Sequence, residues 1–173
     1  HTSGAMVGGH PAVAYYDNYN YDLRFCRALD AAGISWGYPV ILDSEGFQGC
    51  YASLAVVAST PAVAHQDTSY MYLKYVRATD TTGTNWGSPI IVDDGAGNAV
   101  GQYSSLAVVN GNPAISYIDS SNYDLLYVRA TESTGAIWGT RVTVVSDDDV
   151  GEYSSMAIVN GMPAIAYEDT TNE

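Results

Sequence analysis

The chain has 173 residues, a hydrophobic content of 47% and 15 tyrosines, a composition that excludes a disordered protein and allows one domain with its own core. Its charge is unbalanced, because 19 acidic side chains against 6 basic ones give a net charge of −13. A surface of this kind repels phosphate, so nucleic acid and anionic membranes are excluded as partners. The sequence lacks the apolar run of about 18 residues that a membrane-spanning helix needs.

One sequence pattern recurs along the chain. Residues 103–119 read YSSLAVVNGNPAISYID, with related copies at 51–67 and 153–169 and a degraded copy at 1–17. Self-similarity at a spacing of about 50 residues is typical of repeat architectures. We therefore predict a single repeat domain over residues 1–173. Its repeats are 1–50, 51–102 and 103–152, followed by a partial repeat at 153–173.

The beginning of the chain allows two interpretations. Gly4 replaces the large apolar residue that the other copies carry at positions 54, 106 and 156. Residues 1–5 are therefore compatible with the remnant of an expression tag preceding Met6. Thr2 and Ser3 nevertheless fit the repeat, which favours a genuine first copy.

Each repeat contains four predicted strands, which are clearest in the third repeat. Asn110-Gly111 is a strong signal for a two-residue hairpin turn between the first two strands. An acidic loop at 146–151 leads from the fourth strand to the next repeat. The Gly-rich segment 93–100 carries two additional residues, which predicts a loop. The four strands are predicted at 105–109, 113–119, 125–130 and 141–145.

The predicted fold class is all-β. β-Branched and aromatic residues alternate with turn residues, and no segment has the period of a helix. Four short antiparallel strands in about 50 residues are typical of one blade of a β-propeller. We predict a β-propeller-like fold with three full four-stranded blades and a half blade. An open β-solenoid is the alternative, whereas a sandwich does not require such regular repetition.

A second recurring pattern lies between the third and fourth strands. It appears as Asp30…Gly33…Trp36, again at 80–86, and with glutamate at 132–138. It resembles the Asp-box of sialidase-type propellers, with one extra residue before the glycine and with alanine in place of the leading Ser or Thr. The whole repeat is similar to repeats of large secreted bacterial propeller proteins. This resemblance implies a structural turn for Asp30, Asp80, Gly83 and Trp86, and an extracellular or cell-surface location.

Recurring aromatic residues are the candidate ligand-binding residues. Exposed aromatic rings stack on sugars, whereas tyrosines buried between blades have the same sequence pattern. His65 breaks the tyrosine pattern of its position, and a site unique to one blade begins with such a departure. A third recurring set is formed by Tyr51, Tyr103 and Tyr153. The candidate ligand-binding residues come from two other recurring positions. The first carries Tyr15, His65, Tyr117 and Tyr167, and the second carries Tyr21 and Tyr123.

Recurring arginines and tryptophans are predicted to be structural. A catalytic residue is needed once, whereas a structural residue is needed in every blade. The arginines are therefore expected to hydrogen bond a carboxylate or a neighbouring loop, with a ring of anion-binding arginines as the alternative. These residues are Arg27, Arg77, Arg129, Trp36, Trp86 and Trp138.

The acidic loops suggest a candidate metal site. Clustered carboxylates suit Ca²⁺, although none of the loops matches an EF-hand pattern, and a solvated acidic rim is the alternative. No other cofactor is predicted. Cys26 is expected to be a buried apolar residue, and a disulfide with Cys50 is not favoured. The candidate calcium ligands are Asp93, Asp94, Asp147, Asp148 and Asp149.

The sequence favours a non-enzymatic function. It offers no nucleophile–base pair, phosphate loop or metal motif, and no catalytic residue is predicted. We expect a binding or structural propeller module, with carbohydrate as the candidate ligand, that assembles through its incomplete blade. Because three and a half blades leave open sheet edges, a homo-oligomer that closes a ring is the expected assembly, with a fragment of a longer protein as the alternative. The alternative function is a degenerate sialidase-like glycoside hydrolase.

Overall fold

A computed structural model describes residues 1–147 and 149–171 of the chain. Within these residues the secondary structure consists of fourteen β-strands and a short 3₁₀ turn, Gly95–Gly97. None of the described segments is a helix long and apolar enough to cross a membrane. The strands are β1 (Thr2–Val7), β2 (His10–Asp17), β3 (Asp22–Arg27), β4 (Val40–Asp43), β5 (Gln48–Val57), β6 (Thr60–Asp67), β7 (Tyr72–Arg77), β8 (Ile90–Asp93), β9 (Val100–Val109), β10 (Asn112–Asp119), β11 (Asp124–Arg129), β12 (Val142–Val145), β13 (Val150–Val159) and β14 (Met162–Asp169).

The strands form successive antiparallel sheets in which sequence neighbours are also spatial neighbours. Strands β1–β4 form blade 1, β5–β8 form blade 2, β9–β12 form blade 3, and β13–β14 form a half blade. The first strands of the four sheets, β1, β5, β9 and β13, lie side by side and are the inner strands. The prediction of an all-β, propeller-like fold is confirmed.

The inner strands begin earlier than the sequence predicted. Strand β9 starts at Val100 rather than at residue 105, and the pairing with β10 is irregular between Gln102 and Ser105. Gly101 has a φ of 93° and Tyr103 a φ of 51°, values that a regular strand does not contain. The start of the strand was missed because a bulge interrupts the alternation on which strand prediction depends.

The core lies between the faces of successive blades. The blade 2–blade 3 cluster includes Val57, Ala62 and Ala64 on one side and Leu106 and Ile115 on the other. The alternation of small and large residues along the second strand therefore has a packing reason. Its small residues face the following blade, and its large residue faces the preceding one.

The recurring tryptophans close the outer part of each blade interface. Trp86 packs edge-on against Phe25 of blade 1, and Trp138 against Tyr75 of blade 2, with ring centroids 5.1 and 5.3 Å apart. Each tryptophan also donates its indole N–H to the carbonyl of the glycine three residues earlier. Trp36 makes that hydrogen bond but has no preceding blade within the chain, so its ring is partly exposed.

The recurring arginines bind backbone carbonyls. Arg77 donates from Nε to the Val57 carbonyl at 3.2 Å and from Nη2 to the Ala58 carbonyl at 3.3 Å. Arg27 and Arg129 make the same pair of contacts in their own blades. Each arginine thus holds the turn that joins the first two strands of its blade.

The Asp30, Asp80 and Glu132 loops are held by their carboxylates. Each carboxylate accepts hydrogen bonds from three backbone N–H groups of the following five residues. Hydrogen bonds from the Thr134 hydroxyl and from backbone N–H groups lower the pKa of Glu132 to about 2. The loops are therefore fixed by the side chain that begins them.

Candidate functional site

Serines of the Tyr-Ser-Ser segment join the inner strands. The second serine of each copy accepts a hydrogen bond from a backbone N–H of the next blade. The first serine donates its hydroxyl to the tyrosine carbonyl of the preceding blade, as Ser104 does to Tyr51 at 2.6 Å and Ser154 to Tyr103 at 2.8 Å. The contacts of the second serine are Ser3 Oγ with Leu54 N, Ser53 Oγ with Leu106 N, and Ser105 Oγ with Met156 N, each 2.9 Å long.

The aromatic residues of the same segments form a continuous row, here called the tyrosine row: His1, Tyr51, Tyr103 and Tyr153. Ring centroids are 4.2 Å apart for His1 and Tyr51, and 4.7 Å apart for each following pair. His1 Nδ1 also accepts a hydrogen bond from Tyr51 N at 2.9 Å. The row lines a shallow concavity of about 380 Å³ on the inner strands.

A bulge in each inner strand places these rings. Tyr51, Tyr103 and Tyr153 all have φ near 50°, and the glycine two residues before each has φ between 93° and 104°. A β-bulge changes the direction of a side chain relative to the faces of its sheet. The tyrosine rings therefore contact one another from strand to strand, tilted by 50–56°, instead of alternating into the blade core.

Glu152 is the acidic member of this site. At the same place β5 carries Cys50 and β9 carries Gln102, so the carboxylate occurs in a single copy among the described inner strands. Burial raises the pKa of Tyr103 above its usual range, and the negative charge of Glu152 raises it further. The phenol therefore stays protonated at neutral pH and can donate a hydrogen bond to a ligand oxygen.

The end of the molecule that carries the blade-to-blade connections is strongly acidic. This end carries the turns between the second and third strands of each blade. It also carries the loops from each outer strand to the next inner strand, because successive strands are antiparallel. Its described basic side chains are Arg24, Lys74 and Arg141. Its described acidic side chains are Asp17, Asp22, Asp43, Glu45, Asp67, Asp93, Asp94, Asp119, Asp124, Asp147, Asp149, Glu152, Glu168 and Asp169.

A buried ionic network lies at the boundary of blades 1 and 2. Lys74 Nζ is 2.6 Å from Asp43 Oδ2, 3.5 Å from Asp67 Oδ2, and 3.3 Å from the Gln48 Oε1 that accepts its hydrogen bond. His65 Nε2 lies 3.6 Å from the same Asp43 oxygen. Burial lowers the pKa of His65 to about 4, so the ring is neutral at neutral pH. The Lys74 ammonium group is therefore paired with two buried carboxylates, those of Asp43 and Asp67.

At the boundary of blades 2 and 3, different side chains contact the corresponding buried carboxylate. Tyr117, which occupies the place of His65, donates its hydroxyl to Asp93 Oδ2 at 2.6 Å. Arg141 Nη1 lies 3.1 Å from both oxygens of Asp93. Leu126 stands where blade 2 carries Lys74. Among the described blade boundaries, the ionic network of Lys74 thus occurs at the one where His65 replaces the recurring tyrosine.

The predicted ligand-binding residues do not come together. His65 and Tyr117 are fully buried between blades, where neither ring can lie against a sugar. Tyr15 is half-buried, Tyr167 is exposed on the half blade, and Tyr21 and Tyr123 are exposed in the turns after the second strands. The candidate site is formed by other residues, Tyr51, Tyr103, Tyr153 and Glu152. The recurrence of Tyr-Ser-Ser marks this position in the sequence, but recurrence alone does not distinguish a tyrosine that can bind a ligand from one that packs in the core.

The predicted calcium ligands fall into separate loops. Asp93 is engaged by Tyr117 and Arg141, and Asp94 accepts a hydrogen bond from Ala96 N. Asp147 and Asp149 lie in the loop before β13, and Asp148 lies outside the described residues. Across residues 1–147 and 149–171, no group of three or more His, Cys, Asp or Glu side chains is arranged to hold a metal ion. Both cysteines are free.

Comparisons with known proteins identify the fold. No protein-family model and no curated protein matches the chain. Among solved structures, it is similar to the catalytic domain of a GH62 α-L-arabinofuranosidase from Coprinopsis cinerea, with 13% identity, a TM-score of 0.61, and coverage of 96% of this chain and 62% of that one. An α-L-arabinofuranosidase from Lactobacillus brevis gives 11% identity, a TM-score of 0.60, and coverage of 96% and 63%.

A third similar structure is a bifunctional GH43-CE protein from Bacteroides eggerthii, with 11% identity and a TM-score of 0.61. Here the alignment covers 95% of this chain but 25% of the other. The chain thus spans less than two thirds of the length of each of these proteins. At such low identity the similarity establishes a β-propeller fold and does not transfer an activity.

One sequence-based expectation needs correction. The sequence favoured a non-enzymatic binding or structural module over a glycoside hydrolase. That preference is contradicted, because the similar solved structures include glycoside hydrolases named as GH43 and GH62 proteins and an α-L-arabinofuranosidase. The preference depended on the lack of a nucleophile–base pair in the sequence, and unrepeated carboxylates such as Glu152 were not considered as candidates.

Proposed function

We propose that this propeller binds a glycan on the tyrosine row and hydrolyses its glycosidic bonds. The observation that carries the proposal is the row of neighbouring, mutually tilted rings of Tyr51, Tyr103 and Tyr153 together with the single carboxylate Glu152 on the inner strands. The fold shared with glycoside hydrolases supports it.

The tyrosine row suits the binding of a sugar. Its rings offer apolar faces on which sugar rings stack, and their protonated hydroxyls offer hydrogen-bond donors. The concavity that the row lines is open and shallow. This shape favours an extended oligosaccharide over a small molecule that must be enclosed.

Glu152 is the proposed catalytic carboxylate. Glycoside hydrolysis by most enzymes uses two carboxyl groups on opposite sides of the scissile bond, one as acid and one as base or nucleophile. Glu152 is within electrostatic range of Tyr51 and Tyr103, which supports its proposed role toward a sugar bound on the row. The second carboxyl group is expected to come from the loops of the same acidic end.

The charge of the acidic end defines the substrate class. Fourteen described carboxylates face three basic groups at this end, so glycans that carry carboxylates or sulfates are repelled. We expect neutral or amino-sugar substrates rather than sialosides or uronates. Arabinofuranosides and xylo-oligosaccharides are the first neutral candidates, because the names of similar structures include arabinofuranosidase and xylanase.

The test combines hydrolysis and binding. Release of reducing ends is measured on neutral, amino-sugar and anionic oligosaccharides of matched length, and binding is measured by calorimetry. Glu152→Gln is expected to lower turnover by at least about 10²-fold while leaving binding in place. Tyr103→Ala is expected to weaken binding by roughly 2- to 12-fold, the effect of one lost aromatic contact.

A matched control is Tyr38→Ala. Tyr38 is 96% exposed and does not line the concavity of the row, so its removal is expected to change neither turnover nor binding. Thermal unfolding of each variant checks that the fold is retained. Binding without hydrolysis by the wild type would refute the catalytic part of the proposal, and neither binding nor hydrolysis would refute all of it.

Two further properties accompany this proposal. The Asp30, Asp80 and Glu132 loops are interpreted as turns of the Asp-box type, because one carboxylate organises each loop and one tryptophan closes it. An enzyme for polymeric glycans acts where such polymers occur, so an extracellular or cell-surface location is proposed. Detection of the protein in the culture medium or on intact cells tests the location.

A further inference from the structure

Two clefts of similar construction lie between successive blades. The first, here called the blade 1–2 cleft, has a volume of about 330 Å³ and lies between the end of β4 and the segment before β8. The second, the blade 2–3 cleft, has a volume of about 510 Å³ and lies between the end of β8 and the segment before β12. An aspartate ends the outer strand at each cleft, Asp43 in the first and Asp93 in the second. The two clefts are therefore equivalent places in the repeat.

The chain itself supplies a guanidinium group to the blade 2–3 cleft. Arg141 Nη1 lies 3.1 Å from both carboxylate oxygens of Asp93, and both residues line the cleft. The Tyr117 hydroxyl and the Gly95 backbone N–H also donate to this carboxylate, at 2.6 and 2.9 Å. This cleft therefore shows how the fold pairs the aspartate of an outer strand with a guanidinium group from the next blade.

The blade 1–2 cleft has the aspartate but not the arginine. Pro89 occupies the place of Arg141 in the preceding repeat and lines this cleft. Asp43 accepts a hydrogen bond from the Glu45 backbone N–H at 3.3 Å and pairs with Lys74 Nζ at 2.6 Å. Within residues 1–147 and 149–171, no guanidinium group contacts this carboxylate. The position that Arg141 takes in the second cleft is therefore left open in the first.

The charge of the blade 1–2 cleft favours a cation. Asp43 and Glu45 line the cleft, and Glu45 is exposed to solvent. Asp67 lies behind them, 3.5 Å from the Lys74 ammonium group. Three carboxylates against one ammonium group leave two negative charges, which attract a cation and repel an anion.

We infer that the blade 1–2 cleft binds a guanidinium group supplied by another molecule, in the place that Arg141 occupies in the blade 2–3 cleft. A guanidinium group presents five N–H donors in a planar fork, which suits the carboxylates of Asp43 and Glu45. The ligand class is therefore an alkylguanidinium, either a free small molecule or the arginine side chain of a polypeptide. The cleft shares no lining residue with the tyrosine row, so this inference does not rest on the proposed glycan activity.

The experiment measures binding by calorimetry and the rise in Tm with ligand concentration. The probes are agmatine, a free alkylguanidinium, and N-acetyl-arginine methylamide, which represents an arginine within a polypeptide. We expect one site per chain. Tighter binding of agmatine identifies a free ligand, and tighter binding of the diamide identifies a polypeptide.

Two control probes test recognition of the guanidinium group itself. The citrulline diamide has the same shape without the charge, and the lysine diamide has the charge without the planar fork. Both are expected to bind at least about tenfold more weakly than the arginine diamide. Equal binding of the lysine diamide would overturn the inference, because it would show attraction to negative charge alone. So would the absence of binding by both guanidinium probes.

Pro89→Arg provides the sharpest variant, because it places an arginine where the next repeat carries Arg141. Its guanidinium group is expected to occupy the cleft and to weaken agmatine binding by at least about tenfold. Pro39→Arg is the matched control, since it makes the same change at the equivalent position of blade 1, which does not line the cleft. It is expected to bind agmatine like the wild type.

Two further variants keep the test decisive if Pro89→Arg does not fold, which thermal unfolding without ligand shows. Arg141→Ala removes the guanidinium group of the blade 2–3 cleft and is expected to create a second agmatine site per chain. Glu45→Gln removes an exposed charge and is expected to weaken binding by roughly 1.5- to 5-fold, the effect of one exposed ion pair. Binding that survives Pro89→Arg, a loss as large in Pro39→Arg, or a single site in Arg141→Ala would overturn the inference.

Discussion

The ionic network around Lys74 yields a quantitative prediction for the variant Lys74→Leu. Lys74 Nζ lies within 3.5 Å of Asp43, Asp67 and the side-chain oxygen of Gln48. Both carboxylates are less than a tenth exposed. Leucine retains most of the apolar packing of the lysine stem, so the substitution mainly removes the ammonium group and leaves two buried carboxylates facing each other.

The expected cost is large. Removal of one partner from a buried ion pair destabilises a protein by about 3–5 kcal/mol, because the remaining charge stays buried without compensation. For a chain of this size the corresponding decrease in Tm is roughly 6–20 °C. The assay is urea unfolding followed by circular dichroism and tryptophan fluorescence, together with a thermal scan.

A second variant tests the cause of that loss. His65→Tyr combined with Lys74→Leu reproduces two elements of the next boundary, the hydrogen bond from Tyr117 to Asp93 and Leu126 in the place of Lys74, but not the contact of Arg141 with Asp93. A hydrogen bond to a charged group contributes about 1.5–3 kcal/mol, so the double variant is expected to be more stable than Lys74→Leu alone.

Arg24→Leu is the matched control. Arg24 occupies the same register position in blade 1 and pairs with Asp17 and Asp22, but it is partly exposed and screened by water. Its loss is expected to cost about 1 kcal/mol or less. The reasoning would be refuted by a Lys74→Leu cost below about 1 kcal/mol, or by a double variant no more stable than the single one.

Three further variants test individual contacts. Glu132→Gln is expected to flatten the dependence of Tm on pH between about pH 4.5 and pH 2. The Glu132 carboxylate has a pKa lowered to about 2, so it stabilises the fold when the pH is above 4.5, its ordinary pKa. This stabilisation is lost as the pH falls toward 2. Tyr117→Phe is expected to cost about 1.5–3 kcal/mol in urea unfolding, because it removes the donor to Asp93. Gly101→Ala is expected to cost roughly 1–3 kcal/mol, because φ is 93° and its Cβ would lie 3.0 Å from the Leu73 Cα.

Each of these variants has its own control and contrary outcome. Acid titration of Glu132→Gln that matches the wild type would show that the carboxylate is not held by its loop. Tyr167→Phe, at the same position but 40% exposed on the half blade, is expected to be neutral, and a cost equal to that of Tyr117→Phe would contradict the assigned hydrogen bond. Gly111→Ala has a comparable φ of 82° but no neighbour near its Cβ, so the larger effect is expected at Gly101.

The structural roles of recurring residues were predictable from the sequence. Recurrence in every blade indicated that Arg27, Arg77 and Arg129 hold the fold, and they do so by binding backbone carbonyls. The partners were not predictable. The sequence left open whether the partner is a carboxylate or a neighbouring loop, and the fold places the turn of the same blade within reach.

Placement of the tyrosines depended on the tertiary structure. Tyr117 and Tyr51 are both recurring tyrosines near strand positions, yet one is enclosed between blades and the other belongs to the exposed row. A bulge with positive φ at Tyr51 makes the difference, and the alternation rule used to assign faces does not apply across a bulge.

The sequence by itself determined the repeat, the strand count and the class of fold, because a period near 50 residues with alternating apolar positions is a local property of the chain. Only the tertiary structure decided which of these residues meet. Glu152 lies within range of Tyr51 although about 100 residues separate them, because inner strands of successive blades lie side by side. Lys74 likewise reaches Asp43 of the preceding blade, a contact that no spacing within one repeat encodes.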